Sequence, residues 1–560
     1  MRKYVFLTIF VFIVIPVFSQ QVDLTNTKEM FSKDKLLKLN GGFSASTIAY
    51  TGNEQYNRDP LTYYLSGNVN FNILNLVNIP FSFNFTNSGS NYTYPTMPNR
   101  LSIHPTYKWI TGHFGDVSMS FSPYTLGGHL FTGAGIELNP TTSPIKFSVM
   151  SGRLQKPVEY GEGNQNIQAS YKRLGAGVKI RYEKEKYQFG VTLFGAKDYK
   201  NSLQWKPDSL MIFPKENKAF SIDATIPLIE NMRLNAEYGT SILNRDIRVG
   251  QGVSESTYHA IKLLLNYTFN SNTIGIGYER IDPGYETLGA YYFNNDLENI
   301  TLNYARPFLK NKGSLSLTGG IQHDDLENEK ASQTRRFVAA ANVNYAHSER
   351  LNFSFSYTSF QTYMNIKSQF DYINELTPYD NLDTLNYTQL SQNVNFGTDY
   401  IISRSESKTQ NLNLNLSYQE TADKRGDIIP EGSSSLFYNA SLGYGIQFIP
   451  RQINLNLTMN FTSNRMGGED SYIIGPTLVS NMRFFDKKMT SGFGLSYNGN
   501  YVEGERQGEV WLLRMNAGYL FLAKHNVTLN AIYRNNRIEN RVNNLHTNGL
   551  TVTVGYNYKF

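Results

Sequence analysis

Between Gln452 and Asn464 the chain reads QINLNLTMNFTSN, and its side chains alternate without a slip. Ile453, Leu455, Leu457, Met459 and Phe461 fall on one side; Asn454, Asn456, Thr458, Asn460 and Thr462 fall on the other. Period-two alternation specifies a β-strand with one apolar and one polar face. In a soluble sandwich the apolar face meets a second sheet, whereas in a membrane barrel it meets lipid and the polar face meets a wet interior. The same assignment recurs along the chain. Leu412, Leu414, Leu416 and Tyr418 oppose Asn411, Asn413, Asn415 and Ser417, and Leu351, Phe353, Phe355 and Tyr357 oppose Asn352, Ser354, Ser356 and Thr358. A single sheet this long curls and closes more naturally than it stacks, and closure removes its edge strands. The expected fold class is therefore all-β, a transmembrane antiparallel β-barrel.

The two ends agree with that reading. Arg2 and Lys3 precede an apolar run from Tyr4 to Phe18 with Ser19 behind it, which reads as a cleavable signal peptide over residues 1–19. The run is short for a spanning helix, and no later stretch approaches the roughly 18 to 20 apolar residues such a helix needs. The sequence holds no cysteine, which excludes a lipid-modified Cys, a disulfide framework, a thiolate metal site and a cysteine nucleophile. At the other end, LTVTVGYNYKF places Leu550, Val552, Val554, Tyr556, Tyr558 and Phe560 on one face. This ending resembles the terminal signal of bacterial outer-membrane proteins. The resemblance implies that Tyr556, Tyr558 and Phe560 are captured by the barrel-assembly machinery, for which edge-strand addition supplies the physics.

Composition supports a barrel over a helical membrane protein. The 39 Tyr and 35 Phe can build interfacial girdles, while a mean hydropathy of -0.40 is too polar for a bundle of spanning helices. The formal charge of +6 falls to +4 without Arg2 and Lys3, and no basic patch or nucleic-acid motif accompanies it, so nucleic acid is not an expected partner.

Barrels of this type join strands by short turns at one end and longer loops at the other. Candidate short turns fall at Asn75–Asn78, Asn139–Pro144, Glu183–Lys186, Leu228–Asn231, Asn270–Asn272, Leu309–Lys312, Ala346–Arg350, Ser403–Lys408, Ile449–Arg451, Phe485–Lys488 and Ala523–Asn526. These eleven turns, with a first and a last strand, give about 24 strands, within a range of 22 to 26, over residues 37–560. Pro98 to Gly127 is where a further hairpin would hide, and the strand across Leu390 to Ile402 is the weakest.

A barrel this wide needs something in its lumen, because diameter grows with strand number. The 17 residues from Gln20 to Leu36, expected to be a short periplasmic segment, leave no room for an N-terminal plug of the TonB-dependent kind. Long extracellular or infolded loops are expected instead at 87–127 and 364–389, since connections longer than about 12 to 15 residues are usually functional or disordered. The first is expected to pack inside as a constriction, with Tyr107, Lys108, Trp109, His113, Asp116, Tyr124 and His129 as its candidate residues; a surface flap is the alternative. Inward strand positions carry Lys179, Arg181, Arg233, Lys262 and Arg514 against Glu237 and Glu279. Their basic excess would favour anionic solutes, while the plainer reading is paired charges that keep the wall wet.

Other motifs carry little. His104, His113, His129 and Asp116 share a loop but fit no zinc spacing, so no metal site and no cofactor are assigned. The acidic stretches His323–Glu329 and Gly467–Asp470 lack the spacing of a calcium loop. No Ser, His and Asp constellation marks an enzyme.

The stretches FSPYTLGGHLFTGAGIELNP, Phe121 to Pro140, and YERIDPGYETLGAYYFNNDLENITLNY, Tyr278 to Tyr304, resemble segments of large plugless, uncharacterised outer-membrane barrel proteins of Bacteroidota. The resemblance implies an integral outer-membrane location with outer-membrane lipid as its surroundings, and transfers no catalytic or ligand residue. The expected function is a pore or transporter passing solutes or an exported polymer through a loop-constricted lumen. The alternative is a structural or docking barrel that anchors a surface or secreted protein partner. Asp208–Leu210 and Asp383–Leu385 also resemble a short O-glycosylation sequon of the same group. A mass shift on the peptides that carry them, in protein purified from its native membrane, is the expected sign of that modification; unmodified masses would exclude it.

Overall fold

The computed structural model describes residues 36–53, 60–87, 100–159, 169–204, 212–249, 254–291, 294–327, 335–359, 361–364, 388–390, 392–422, 434–466, 468–539 and 544–560. The expected signal peptide, nearly all of the expected periplasmic segment, most of the 364–389 loop and both glycosylation triplets lie outside them.

Within the described residues all strands but two short ones, Gln361–Met364 and Thr388–Leu390, which pair with each other, form one antiparallel sheet; it closes on itself, because Leu37–Gly52 pairs both with Leu61–Ile73 and with Asn544–Lys559. The sheet has 27 segments, two of which, Arg100–Ile103 and Thr106–Tyr107, are pieces of one strand, so the barrel has 27 − 1 = 26 strands. The break falls at His104–Pro105, since proline has no N–H to give to the ladder.

All eleven expected short turns are turns of the barrel. The strand expected across Leu390 to Ile402 is Gln392–Arg404. The two additional strands come from a twelfth short turn at Lys108–Trp109, with Lys108 in the left-handed region at φ 53°, between Thr106–Tyr107 and Ile110–Ser120. The stretch expected as one long loop at 87–127 therefore contains a hairpin of the wall, and its only described connection at the opposite end is the six residues 121–126. Both ends of the described chain sit at the short-turn end, where Leu36 accepts from Leu74 N at 3.1 Å and the Phe560 and Gly41 backbones bond at 3.1 to 3.2 Å.

The two faces separate by parity. Leu457 is 52% exposed while Thr458 is 7%, and Leu193 is 57% exposed while Phe194 is 4%. Large apolar side chains thus stand outward all round the ring, on strands as far apart as Asn272–Ile281 and Asn544–Lys559, where Ile276 and Val554 are exposed. Outward aromatic pairs border this belt. Near the short turns they include Tyr267–Phe269, Phe308–Tyr345 and Tyr519–Phe521. Near the long connections they include Tyr418–Tyr438, Tyr472–Tyr501 and Tyr497–Trp511. A closed sheet with an apolar belt between aromatic girdles satisfies every backbone group without water, as a bilayer requires.

Leu457→Arg, near the middle of its strand, is expected to destabilise the barrel in lipid vesicles by about 2–4 kcal/mol, whereas Asn456→Asp on the inner face costs far less. Urea unfolding of the two variants checks this, and equal losses would contradict the face assignment.

Candidate functional site: an infolded pair of connections

The connection 121–126 is buried although it lies at the open end of the barrel. Phe121, Ser122, Tyr124, Thr125 and Leu126 are nearly inaccessible, and Leu126 is 0% exposed. It closes tightly, with Phe121 N donating to Leu126 O at 2.9 Å and Tyr124 N donating to Ser122 Oγ at 3.1 Å. A tight turn of this kind is buried only if it folds against the inner wall, and its contacts are with inward side chains. Ser122 Oγ donates to the Glu237 carboxylate, Tyr124 OH donates to Glu279 Oε1 at 3.0 Å, and Lys179 Nζ donates to Phe121 O.

Inward glycines make room for it. A Cβ on Gly239 would lie 2.5 Å from Tyr124 Cβ, and one on Gly177 would lie 3.0 Å from the Phe121 ring. A side chain at either position would push the turn off the wall.

A second connection, between Asn272–Ile281 and Leu297–Phe308, folds onto the first. Tyr285 OH donates to Tyr124 O at 2.7 Å, Thr287 Oγ1 to Thr125 O at 2.5 Å, and Gly127 N to Gly289 O at 3.0 Å. Leu126 and Gly289 form a parallel bridge. The wall holds this segment too: Leu288 N donates to Asn217 Oδ1 at 3.2 Å, Ser241 Oγ donates to Glu286 O at 2.6 Å, and Lys215 pairs with Glu286 at 2.7 Å. Burial, then the Glu279 carboxylate, pushes the Tyr124 hydroxyl far above the ordinary phenol range, and burial does the same to Tyr285, so both remain donors.

Beneath these bonds lies an apolar core inside the lumen: Val117, Met119, Phe121, Leu126, Phe131, Met150, Leu154, Phe194 and Leu288 with Ala196 and Ala219. Removing Leu126 down to Ala in such packing costs about 2–5 kcal/mol. The infolded pair is therefore a seated body, held by apolar burial as well as by hydrogen bonds.

Toward the short-turn end of that core a charged row crosses the inner wall. Strand register aligns Lys146, Arg181, Gly190, Asp223, Glu237, Lys262 and Glu279 on successive strands. Lys179 reaches Asp223 at 3.3 Å, Lys262 reaches Glu279 at 3.3 Å, Arg181 reaches Glu183 at 3.2 Å, and Lys146 also pairs with Glu183. Gly190 leaves space for the Asp223 carboxylate, since a Cβ there would lie 2.2 Å from Asp223 Oδ1.

Of the residues expected from sequence, Tyr124, Lys179, Glu237 and Glu279 meet at the seat of the infolded turn, with Lys262 and Arg181 along the row. Arg233 is exposed lower on the same wall, and Arg514 lies on the distant strand Glu505–Phe521. Along this row the four cations Lys146, Lys179, Arg181 and Lys262 face the four carboxylates Asp223, Glu183, Glu237 and Glu279, so the row itself is balanced.

Tyr107, Lys108 and Trp109, expected in an infolded constriction, instead lie at the twelfth short turn, at the opposite end of the barrel from the connection 121–126. His113 is a wall residue, with Nδ1 2.9 Å from His104 Nδ1 and Nε2 3.6 Å from Glu137. Asp116 accepts from Thr132 Oγ1 at 2.6 Å and from Leu101 N at 3.0 Å. His129 lies against Tyr291, with ring centroids 4.1 Å apart and the rings tilted by 33°, at the edge of the infolded pair. The four residues weighed for zinc are thus dispersed over three places.

Sequence reasoning missed 282–291 as the partner segment. The signal was present: Tyr124-Thr125-Leu126-Gly127 and Tyr285-Glu286-Thr287-Leu288-Gly289 share Tyr and Thr-Leu-Gly, and these are the residues that bond to each other.

Among solved structures the chain is similar to the translocation pore of the P pilus usher (PapC), with 10% identity over 94% of this chain and 99% of that one and a TM-score of 0.35. It is similar to the FrpB iron transporter from Neisseria meningitidis, with 11% identity over 93% and 82% and a TM-score of 0.37. It is likewise similar to the ferric yersiniabactin uptake receptor FyuA from Yersinia pestis, with 11% identity over 93% and 80% and a TM-score of 0.40. Likeness at this level concerns barrel architecture and carries no functional argument. No protein family model and no curated protein matches the chain.

Thr125 is buried and its hydroxyl has no hydrogen-bond partner among the described residues, so Thr125→Cys is expected to resist a water-soluble maleimide in folded barrels. Adding Gly239→Val should displace Tyr124 and raise the labelling rate at least tenfold. Fast labelling without the second substitution would contradict the seat.

Proposed function

We propose that the protein is an integral outer-membrane pore that passes hydrophilic cargo, solutes or an extended polymer, through a lumen narrowed by its own infolded connections. The observation that carries this reading is the inward seat of 121–126 and 282–291 on one sector of wall. A barrel that served only as an anchor would have no use for a constriction built into the passage.

The rest of the lumen favours uncharged polar cargo. Across from the charged row, inward positions are mostly amides, hydroxyls and glycines: Asn411, Asn413 and Asn415 pair with Gly445, Gly443 and Ser441, and Asn439 accepts from Thr462 at 3.1 Å. Such a lining offers many weak hydrogen bonds and little field, which suits passage over tight binding. With its charged row balanced, the pore should discriminate weakly between small anions and cations.

Planar-bilayer recording tests the proposal. The wild type is expected to give a steady conductance near neutral in ion selectivity, and replacement of Phe121–Leu126 by an Asn-Gly turn should enlarge it. If both proteins fold and both are silent, the pore reading fails and the docking barrel becomes the better account.

A further inference from the structure

The outer wall also carries an unusual feature, on strands Arg173–Lys184, Tyr187–Asp198, Glu216–Ile229 and Met232–Asn244. Outward rungs run from the long-connection end downward as Leu174–Lys197–Glu216, then Ala176–Gly195–Lys218–Ile242, then Val178–Leu193–Phe220–Thr240. At the second rung Ala176 and Gly195 supply almost no side chain. A groove of about 320 Å³ opens there between Leu193, Phe220 and Ile242, within the ~300–1,000 Å³ of small-molecule sites. The wall does not need glycine for its own packing, because a Cβ on Gly195 would meet only Asn217 O at 3.9 Å.

Cations edge this groove on the side of the long connections. Lys218 is exposed and has no carboxylate partner among the described residues, whereas its neighbour Lys197 is held by Glu216 at 2.8 Å. A second depression adjoins on the preceding strands, lined by Thr132, Ser151, Arg153, Lys172 and Leu174. There Arg153 donates from a terminal nitrogen to Thr132 Oγ1 at 3.3 Å, a hydroxyl that itself donates to Asp116, and among the described residues its buried Nε has no partner. A buried guanidinium N–H left unpaired is costly, so this nitrogen favours a further acceptor.

We propose that this outer-wall groove binds an acylated, phosphate-bearing lipid of the surrounding leaflet. One acyl chain lies over Gly195 and Ala176 between Leu193 and Phe220, and phosphate oxygens accept from Lys218 and Arg153, with Lys172 beside them. Arg153 and Lys218 sit three strands apart, about 14 Å at ~4.8 Å per strand, a span suited to a headgroup that carries two phosphates. Ordinary annular lipid explains the apolar belt, but it does not explain a bulk-free pair of positions set beside Lys218 and next to the depression that holds Arg153. The inference rests on the membrane placement of the barrel and is independent of whether the lumen conducts.

Native mass spectrometry of the purified barrel in a neutral detergent tests this, with diphosphorylated lipid A and its dephosphorylated form as probes. The wild type is expected to retain one diphosphorylated lipid and to hold the dephosphorylated form at least tenfold less. Lys218→Gln and Arg153→Gln should each weaken retention about tenfold, the scale of one charge-assisted hydrogen bond, and Gly195→Leu should do so by filling the groove without altering charge. Equal retention of both lipids, no effect of Gly195→Leu, or displacement by millimolar inorganic phosphate alone would each overturn the proposal. Heat-modifiable gel migration shows that each variant is folded, and unchanged conductance separates this outcome from the pore reading.

Discussion

The structure depends on one constraint: in hydrocarbon there is no water to pair with a backbone N–H or C=O, so the sheet must supply every partner itself. Antiparallel pairing does this within the ring, and the bond pattern between Leu37–Gly52 and Asn544–Lys559 removes the last two edges. The outward belt and its aromatic borders follow, since a closed sheet can face lipid only with apolar side chains. Closure on 26 strands then creates the problem that the rest of the sequence addresses, an interior too wide to be filled by wall side chains alone.

The solution is local. One sector of wall, from Ile110–Ser120 round to Asn272–Ile281, carries large apolar side chains on its inner as well as its outer face, so that Leu193 stands outward while Phe194 helps to build a core within the lumen. Two connections with related Tyr and Thr-Leu-Gly sequences settle on that core and bond to each other. Glycines at 177 and 239 clear the space, and the paired row from Lys146 to Glu279 lies beneath. The remaining sector keeps a plain Asn, Ser and Thr lining. The barrel thus divides its interior between an apolar seat and a polar-lined sector.

Much of the fold was legible because the governing patterns are local. Period-two alternation marks the faces, and turn residues mark the short-turn end, so eleven turns could be read directly. The twelfth could not: Pro105 splits its strand into pieces of four and two residues, too short to show a period. The infolded site was half legible. Tyr124, Lys179, Glu237 and Glu279 stood out by type and parity, but their meeting depends on where a connection folds, a tertiary event with no periodic signature. The segment 282–291 was passed over because its contacts are with residues some 160 positions away.

The account stands or falls on the inward seat of the turn 121–126, and the absence of native cysteine makes that seat directly measurable. A Ser122→Cys/Glu237→Cys barrel, treated in intact membranes with a short bifunctional thiol cross-linker, should join the two positions and shift in a denaturing gel. Ser122→Cys/Asn516→Cys, with its second thiol on the strand Glu505–Phe521 thirteen strands round the ring, should not. No cross-link in the first pair, with Ser122→Cys freely labelled from outside, would mean that the turn lies at the surface and that the lumen is narrowed by something else or not at all.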